Sequence, residues 1–165
     1  MSEAPDRHFD SRSGAEPMQS RDPGGGEPGR DPGGEPEDTY SWYRRGLDLL
    51  SRGSPAAASQ LLQRAAQAEP GARSVLEALA RAQFGARRYR EAAASFRQIV
   101  EANPSDDYAH FGLGLALARS GDPAGAAEYL AIAAAMRPGL RHYTDALDSV
   151  RATLRARAGR EDPAP

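Results

Sequence analysis

The sequence predicts an all-α fold made of three consecutive 34-residue helix-turn-helix units and a closing helix. Three observations predict it. Pro70, Pro104 and Pro138 stand 34 residues apart, although only seven of the 127 residues from Thr39 onward are proline; two further prolines at fixed offsets would arise by chance about 0.3% of the time. Laying segments 39–72, 73–106 and 107–140 over one another aligns the large apolar residues Leu62, Phe96 and Leu130 at repeat position 24, and the small residues Gly46, Ala80 and Gly114 at position 8. Within the segments, residues such as Leu76, Leu79 and Ala80 recur at i, i+3 and i+4, the spacing of one helix face.

Each element follows from these columns. The first helices are expected over 40–52, 72–85 and 106–120, and the second helices over 55–68, 89–102 and 123–136. Gly53-Ser54-Pro55 and Gly121-Asp122-Pro123 supply the turns between them. Pro at the first helical position costs no hydrogen bond, and Ser54 and Asp122 stand where a side-chain oxygen caps a helix. In the second unit Arg87-Arg88-Tyr89 replaces the Gly-x-Pro pattern, which leaves its turn open. Ala58, Ala92 and Ala126 at position 20, and Ala65, Ile99 and Ala133 at position 27, place mostly small residues where two helices approach. After the third unit, Tyr143, Leu147, Val150 and Leu154 form one apolar stripe opposite Arg141, Asp145, Asp148, Arg151 and Arg155, the pattern of a capping helix over 140–157.

The flanks read differently. Residues 1–38 hold seven Gly, six Pro and ten acidic against four basic residues, with two near-duplicate Arg-Asp-Pro-Gly phrases at 21–28 and 30–36. A segment so poor in apolar side chains cannot offset the entropy of ordering its backbone, so a disordered acidic leader is expected. The expected organisation is therefore a leader over 1–38, a repeat domain over 39–158 and a short disordered tail over 159–165. The leader carries a formal charge of −6 and the remainder +4, a division more in keeping with a solubilising spacer than with an internal clamp.

Composition excludes several chemistries. With no cysteine there is no disulfide framework, thiolate nucleophile or cysteine metal site. All 21 basic residues are arginine, so Schiff-base and P-loop lysines are absent as well. Richness in Arg, Ala, Gly and Pro points to a GC-rich, bacterial genome. The N-terminal residues lack a basic and an apolar signal region, and no apolar run is long enough to span a bilayer; a cytoplasmic location is expected. His8, His110 and His142 have no metal-ligand spacing, and His110 occupies a packing position. Asp106 and Asp107 open a helix, where acidic residues complement the macrodipole. No nucleophile elbow, dinucleotide fingerprint or zinc-protease motif occurs, so no catalytic residue, metal or cofactor is expected.

Trp42-x2-Arg45-Gly46-x2-Leu49, then Ala58-x3-Leu62, then Pro70 resembles the tetratricopeptide repeat, with Arg45 standing where that pattern has leucine. The resemblance covers 39–140. It implies a right-handed superhelix whose first helices line a concave groove, and whose ligand contacts come from repeat positions 2, 5, 6, 9, 12 and 13. Mapped here, it selects Tyr40, Tyr43, Arg44 and Leu47 in the first unit, Glu77, Arg81 and Phe84 in the second, and Tyr108, Phe111, Leu115 and Arg119 in the third. Five of the eleven aromatic residues lie in this set, and aromatic and arginine side chains are the usual anchors of protein interfaces. The same aromatics could instead pack between neighbouring helices.

The function expected is thus a non-enzymatic scaffold holding a partner peptide or protein in the groove. A clamp for chaperone C-terminal acidic peptides is not expected, because its Lys, Asn and Arg positions are occupied by Tyr43, Leu47, Ala78, Tyr108 and Gly112. RNA binding and self-assembly are the alternatives. For RNA, a charge of +4 without lysine, behind an acidic leader, is thin for phosphate contact.

Overall fold

The computed structural model describes residues 38–161. They form seven helices and no strand: α1 Thr39–Ser51, α2 Pro55–Ala68, α3 Arg73–Gly85, α4 Tyr89–Ala102, α5 Asp107–Ser120, α6 Pro123–Met136 and α7 Arg141–Glu161. The expected leader and the last four residues lie outside this range. The six repeat helices fall within a residue or two of the sequence expectation. α7 runs past the expected 157, because the alternation of Ala and Arg after Leu154 consists of strong helix formers.

The period is written into the backbone hydrogen bonds. After each second helix the same pair recurs one unit apart: Glu69, Asn103 and Arg137 donate their N–H to Ala65, Ile99 and Ala133 at 2.9, 2.8 and 3.0 Å. Next, Ala72, Asp106 and Leu140 donate to Glu69, Asn103 and Arg137 at 3.3, 3.1 and 3.0 Å. The proline column sits inside this turn, where a residue without an N–H costs nothing and cannot continue the helix.

The turns inside each unit also match. Ser54, Arg88 and Asp122 donate to Leu49, Gln83 and Leu117 at 2.8, 2.8 and 2.9 Å, a Schellman closure that requires a left-handed residue before the donor. Gly53 and Gly121 supply it with φ of 74° and 97°, and Arg87 is held there at φ 62°. The second unit therefore keeps the turn of its neighbours with an arginine in a conformation that favours glycine. Capping is uneven. Asp122 accepts from the Gly125 N–H at 2.9 Å and Asp38 from the Ser41 N–H at 2.7 Å, whereas Ser54 makes no side-chain cap.

The position-8 and position-24 columns explain each other. A Cβ on Gly46 would lie 2.5 Å from Leu62 Cγ, and one on Gly114 2.6 Å from Leu130 Cγ, so each leucine nests directly on a bare backbone. In the second unit the larger Phe96 reaches further and is received by Gly112 of the next unit, where a Cβ would overlap the ring. Two apolar clusters result. The smaller joins units one and two through Ala58, Leu62, Ala78, Leu79 and Ala82. The larger runs from Leu76 through Phe96, Leu113 and Leu130 to Leu147 and Val150, sealing the array against α7.

Candidate functional site

The residues selected on the first helices divide into two groups when their surroundings are read. Tyr40 is 64% exposed, and the Arg44 guanidinium lies over its ring with Cζ 5.8 Å from the centroid. Tyr43 and Leu47 are half-buried against the smaller cluster, with Leu50 beside them. Phe84 meets Tyr89 edge-on at 5.2 Å, Leu115 is half-buried on the larger cluster, and Arg119 is exposed. These side chains leave surface available along α1, α3 and α5.

The second group is already engaged. Tyr108 meets Phe96 edge-on at 6.0 Å, and burial pushes its phenol well above the ordinary value near 10. Phe111 stacks on Tyr143 of α7 with ring centroids 4.3 Å apart, and His142 adds an edge contact at 5.3 Å. Glu77 pairs with Arg73 at 3.0 Å, and Arg81 is half-buried with partners of its own. Ala78 and Gly112, at position 6 of units two and three, are buried under the neighbouring helix and present nothing to a ligand.

Polar contacts of Asp106 and Asp107 tie the start of α5 to the start of α3 and to α7, joining residues about one repeat apart. Asp106, 7% exposed, accepts from the Ala109 N–H at 3.0 Å with one oxygen. Its other oxygen takes Arg73 Nε at 2.8 Å and Nη2 at 2.6 Å. That hydrogen bond raises the Arg73 guanidinium pKa. Asp107 accepts from the Tyr143 hydroxyl at 3.0 Å and lies 3.6 Å from Arg137 Nη1. Burial, then this bond, raises the Tyr143 phenol. Capping alone, the role expected from sequence, omits these links from α5 to α3 and α7. The missed signal is the period itself: residues near 34 apart are spatial neighbours, as Arg73 with Asp106 and Asp107 with Tyr143 both are. Inside unit two, buried Ser95 donates to Gln83 Oε1 at 2.7 Å. His110 Nε2 donates to the Pro104 carbonyl at 2.8 Å and its ring stacks on Tyr129, leaving Nδ1 buried without a partner.

Clefts lie on both sides of the array. One of about 450 Å³ is lined by Tyr40, Ser41, Arg44, Arg45, Asp48 and Arg52 on the exposed flank of α1. Another of about 300 Å³ opens between α2 and α4 over Leu76 and Leu79, with Gln63, Gln67 and Gln98 along its walls. Among the described residues no group of three or more His, Asp or Glu could hold a metal ion, and no helix is long and apolar enough to cross a membrane.

Comparison with known proteins places this geometry. Residues 77–141 match the tetratricopeptide repeat family. No curated protein sequence matches the chain. Among solved structures, a MamA structure (MSR-1) superposes with a TM-score of 0.66 at 23% identity, covering 71% of this chain and 67% of that one. The Sgt2 TPR domain from Aspergillus fumigatus gives 0.66 at 21% identity, over 77% and 86% of the two chains. The first TPR of Spaghetti (RPAP3), bound to the HSP90 peptide SRMEEVD, gives 0.65 at 17% identity, over 70% and 92%. The period in the proline column, the repeated turn hydrogen bonds and these matches agree: the helical array has the fold of tetratricopeptide repeat proteins, and residues 77–141 match that family.

Proposed function

We propose that the array is a non-enzymatic protein-interaction scaffold that holds a partner peptide against the face formed by α1, α3 and α5. The observation that carries this reading is the pairing of Tyr40 and Arg44. A tyrosine 64% exposed, with a guanidinium over its ring, is a surface that burial under a partner would stabilise further. Tyr43, Leu47, Phe84 and Leu115 continue it as half-buried apolar side chains, and Arg119 adds a cation at the far end. Tyr108 and Phe111 support the face from beneath by packing into the seams.

A structurally similar array is bound to the acidic peptide SRMEEVD, which supports a peptide as the class of ligand. Its ligand chemistry does not transfer. Two of the positions that would clamp a terminal carboxylate are Ala78 and Gly112, both buried, and a third is the seam residue Tyr108. The partner that fits is a segment with bulky apolar side chains and one or two carboxylates for Arg44 and Arg119, which bind acids in a forked, directional way.

The test is selection of peptides from a displayed library against the full chain, followed by titration. Tyr40→Ala/Arg44→Ala should weaken the selected peptides at least ten-fold, since interface anchors of these types each contribute about 1–2 kcal/mol. The melting temperature should stay unchanged, because both side chains are exposed. Full affinity in that variant would overturn the reading.

A further inference from the structure

α6 differs from its two counterparts on the outer surface. Of its fourteen residues only Glu128 is charged. At repeat positions 25, 26 and 29, α2 carries Gln63, Arg64 and Gln67 and α4 carries Arg97, Gln98 and Glu101, whereas α6 carries Ala131, Ile132 and Ala135. The core takes up only part of this: Ala131 packs partly against the larger cluster, whereas Ile132 and Ala135 are exposed. α6 turns Ala126, Leu130 and Ala133 inward, while Ile132 is 40% and Met136 37% exposed. Among the described residues Tyr40 is the other large hydrophobic so exposed. A helix apolar on all sides is ordinarily buried on all sides.

We infer that the outer face of α6 is a self-association surface, and that its occupant is α6 of a second copy of this chain. The shape of the helix is its own complement. Ile132 and Met136 form one ridge at i, i+4, and Ala131 and Ala135 form a shallow row beside it. An antiparallel crossing centred near Ile132 lays the ridge of each copy into the alanine row of the other, with rows of the same i±4 type interdigitating. The charges fit the same arrangement. Reversal about that centre sets Glu128 opposite Met136 and Arg137 of the second copy. Arg137 can turn toward it, since its side chain is 56% exposed and its ion pair to Asp107 is long at 3.6 Å. One short helix thus supplies both ridge and groove, and both acid and base.

A fourteen-residue helix is about 21 Å long and offers less than the roughly 800 Å² per partner of a standard interface. Association is therefore weak, with a dissociation constant on the order of tens of micromolar or above. This surface lies away from the first helices, so it is independent of the proposed ligand face.

Sedimentation of the full chain from about 5 to about 500 µM, a range that brackets weak association, should show a monomer–dimer equilibrium. Ile132→Gln/Met136→Gln should raise the dissociation constant at least ten-fold without loss of helicity, because both side chains are already partly in water. Glu128→Arg should raise it as well, and adding Arg137→Glu should restore it. Tyr40→Ala/Arg44→Ala should leave it unchanged. In this cysteine-free chain, Ile132→Cys should cross-link on oxidation, whereas Arg64→Cys, at the same repeat position on α2, should not. A monomer at every concentration, a dimer indifferent to the α6 substitutions, or equal cross-linking at position 64 would each overturn the assignment.

Discussion

Gly112→Ala sets two effects against each other, and the structure decides the sign. Helix propensity alone favours alanine by about 1 kcal/mol at a position inside α5. A Cβ there would meet three atoms of the Phe96 ring, two of them at 2.5 and 2.8 Å, far inside ordinary contact. The ring has little room to yield: Phe96 is 2% exposed and is held in an edge contact with Tyr108. Overpacking of this kind costs about 1–3 kcal/mol, and contacts this close place it in the upper half of that range, so after the propensity gain the net expectation is a loss of about 1–2 kcal/mol. For an array of this size that lowers the melting temperature by about 3–8 °C. Thermal denaturation followed by circular dichroism reads it directly, with Gly159→Ala, whose Cβ would meet nothing, as the control expected to lose no stability. The cause is isolated by Phe96→Leu, which restores the residue found at position 24 in the other two units. Alone it should destabilise by about 1 kcal/mol, and combined with Gly112→Ala it should recover at least that much as coupling. A rise in melting temperature for Gly112→Ala, or zero coupling, would show that the Phe96–Gly112 contact does not shape this seam.

Three further outcomes follow from the geometry. Arg87→Gly should stabilise the array by about 1 kcal/mol in denaturant titration, because it removes the cost of a left-handed non-glycine residue while keeping the turn bond. Asp106→Ala should destabilise it by about 2–3 kcal/mol, since it removes the cap on Ala109 and the partner of Arg73 at a site 7% exposed; Arg73→Ala, removing a largely exposed side chain, should cost less. Stability should fall as pH rises above about 10. The Tyr108 and Tyr143 phenols have folded pKa values raised above the unfolded value, so the folded state holds their protons longer and the contribution present below pH 10 is lost on the way up. Tyr108→Phe should flatten that alkaline decline in a pH series of melts.

The architecture was legible because its signals are local and repeat. Proline at position 32, small residues at position 8 and large apolar ones at position 24 each do the same job three times, and repetition separates them from chance. Arg87 shows where this fails. The second unit lacks the glycine that marks its neighbours' turns, yet the closure from Arg88 N–H to the Gln83 carbonyl forms all the same. Packing on both sides fixes the turn and imposes φ 62° on the arginine. The ligand face was legible only as a set of positions. Nothing in the local sequence around Phe111 says that Tyr143, one unit on, will stack on it, or that Phe96 will take the edge of Tyr108. Which aromatic is surface and which is seam depends on what the following unit brings. Likewise, Ser54 occupies a capping position without capping, while Asp122 in the same place does cap.

The unequal division of the core has a mechanical meaning. Units two and three and α7 share one large apolar cluster, reinforced by Arg73–Asp106 and Asp107–Tyr143, whereas α1 and α2 join the rest mainly through the smaller one, with Ala66 reaching the larger. In a linear array each unit leans only on its neighbours, so local opening begins at an end. Were the first helix pair to open, the turn at Glu69–Ala72 would be the hinge, and Tyr40, Tyr43 and Arg44 would move with it. Anything gripped between α1 and α5 would act as a latch across that hinge, so its hold would register as slower fraying of the first helix pair, even though the chemistry of the grip lies elsewhere.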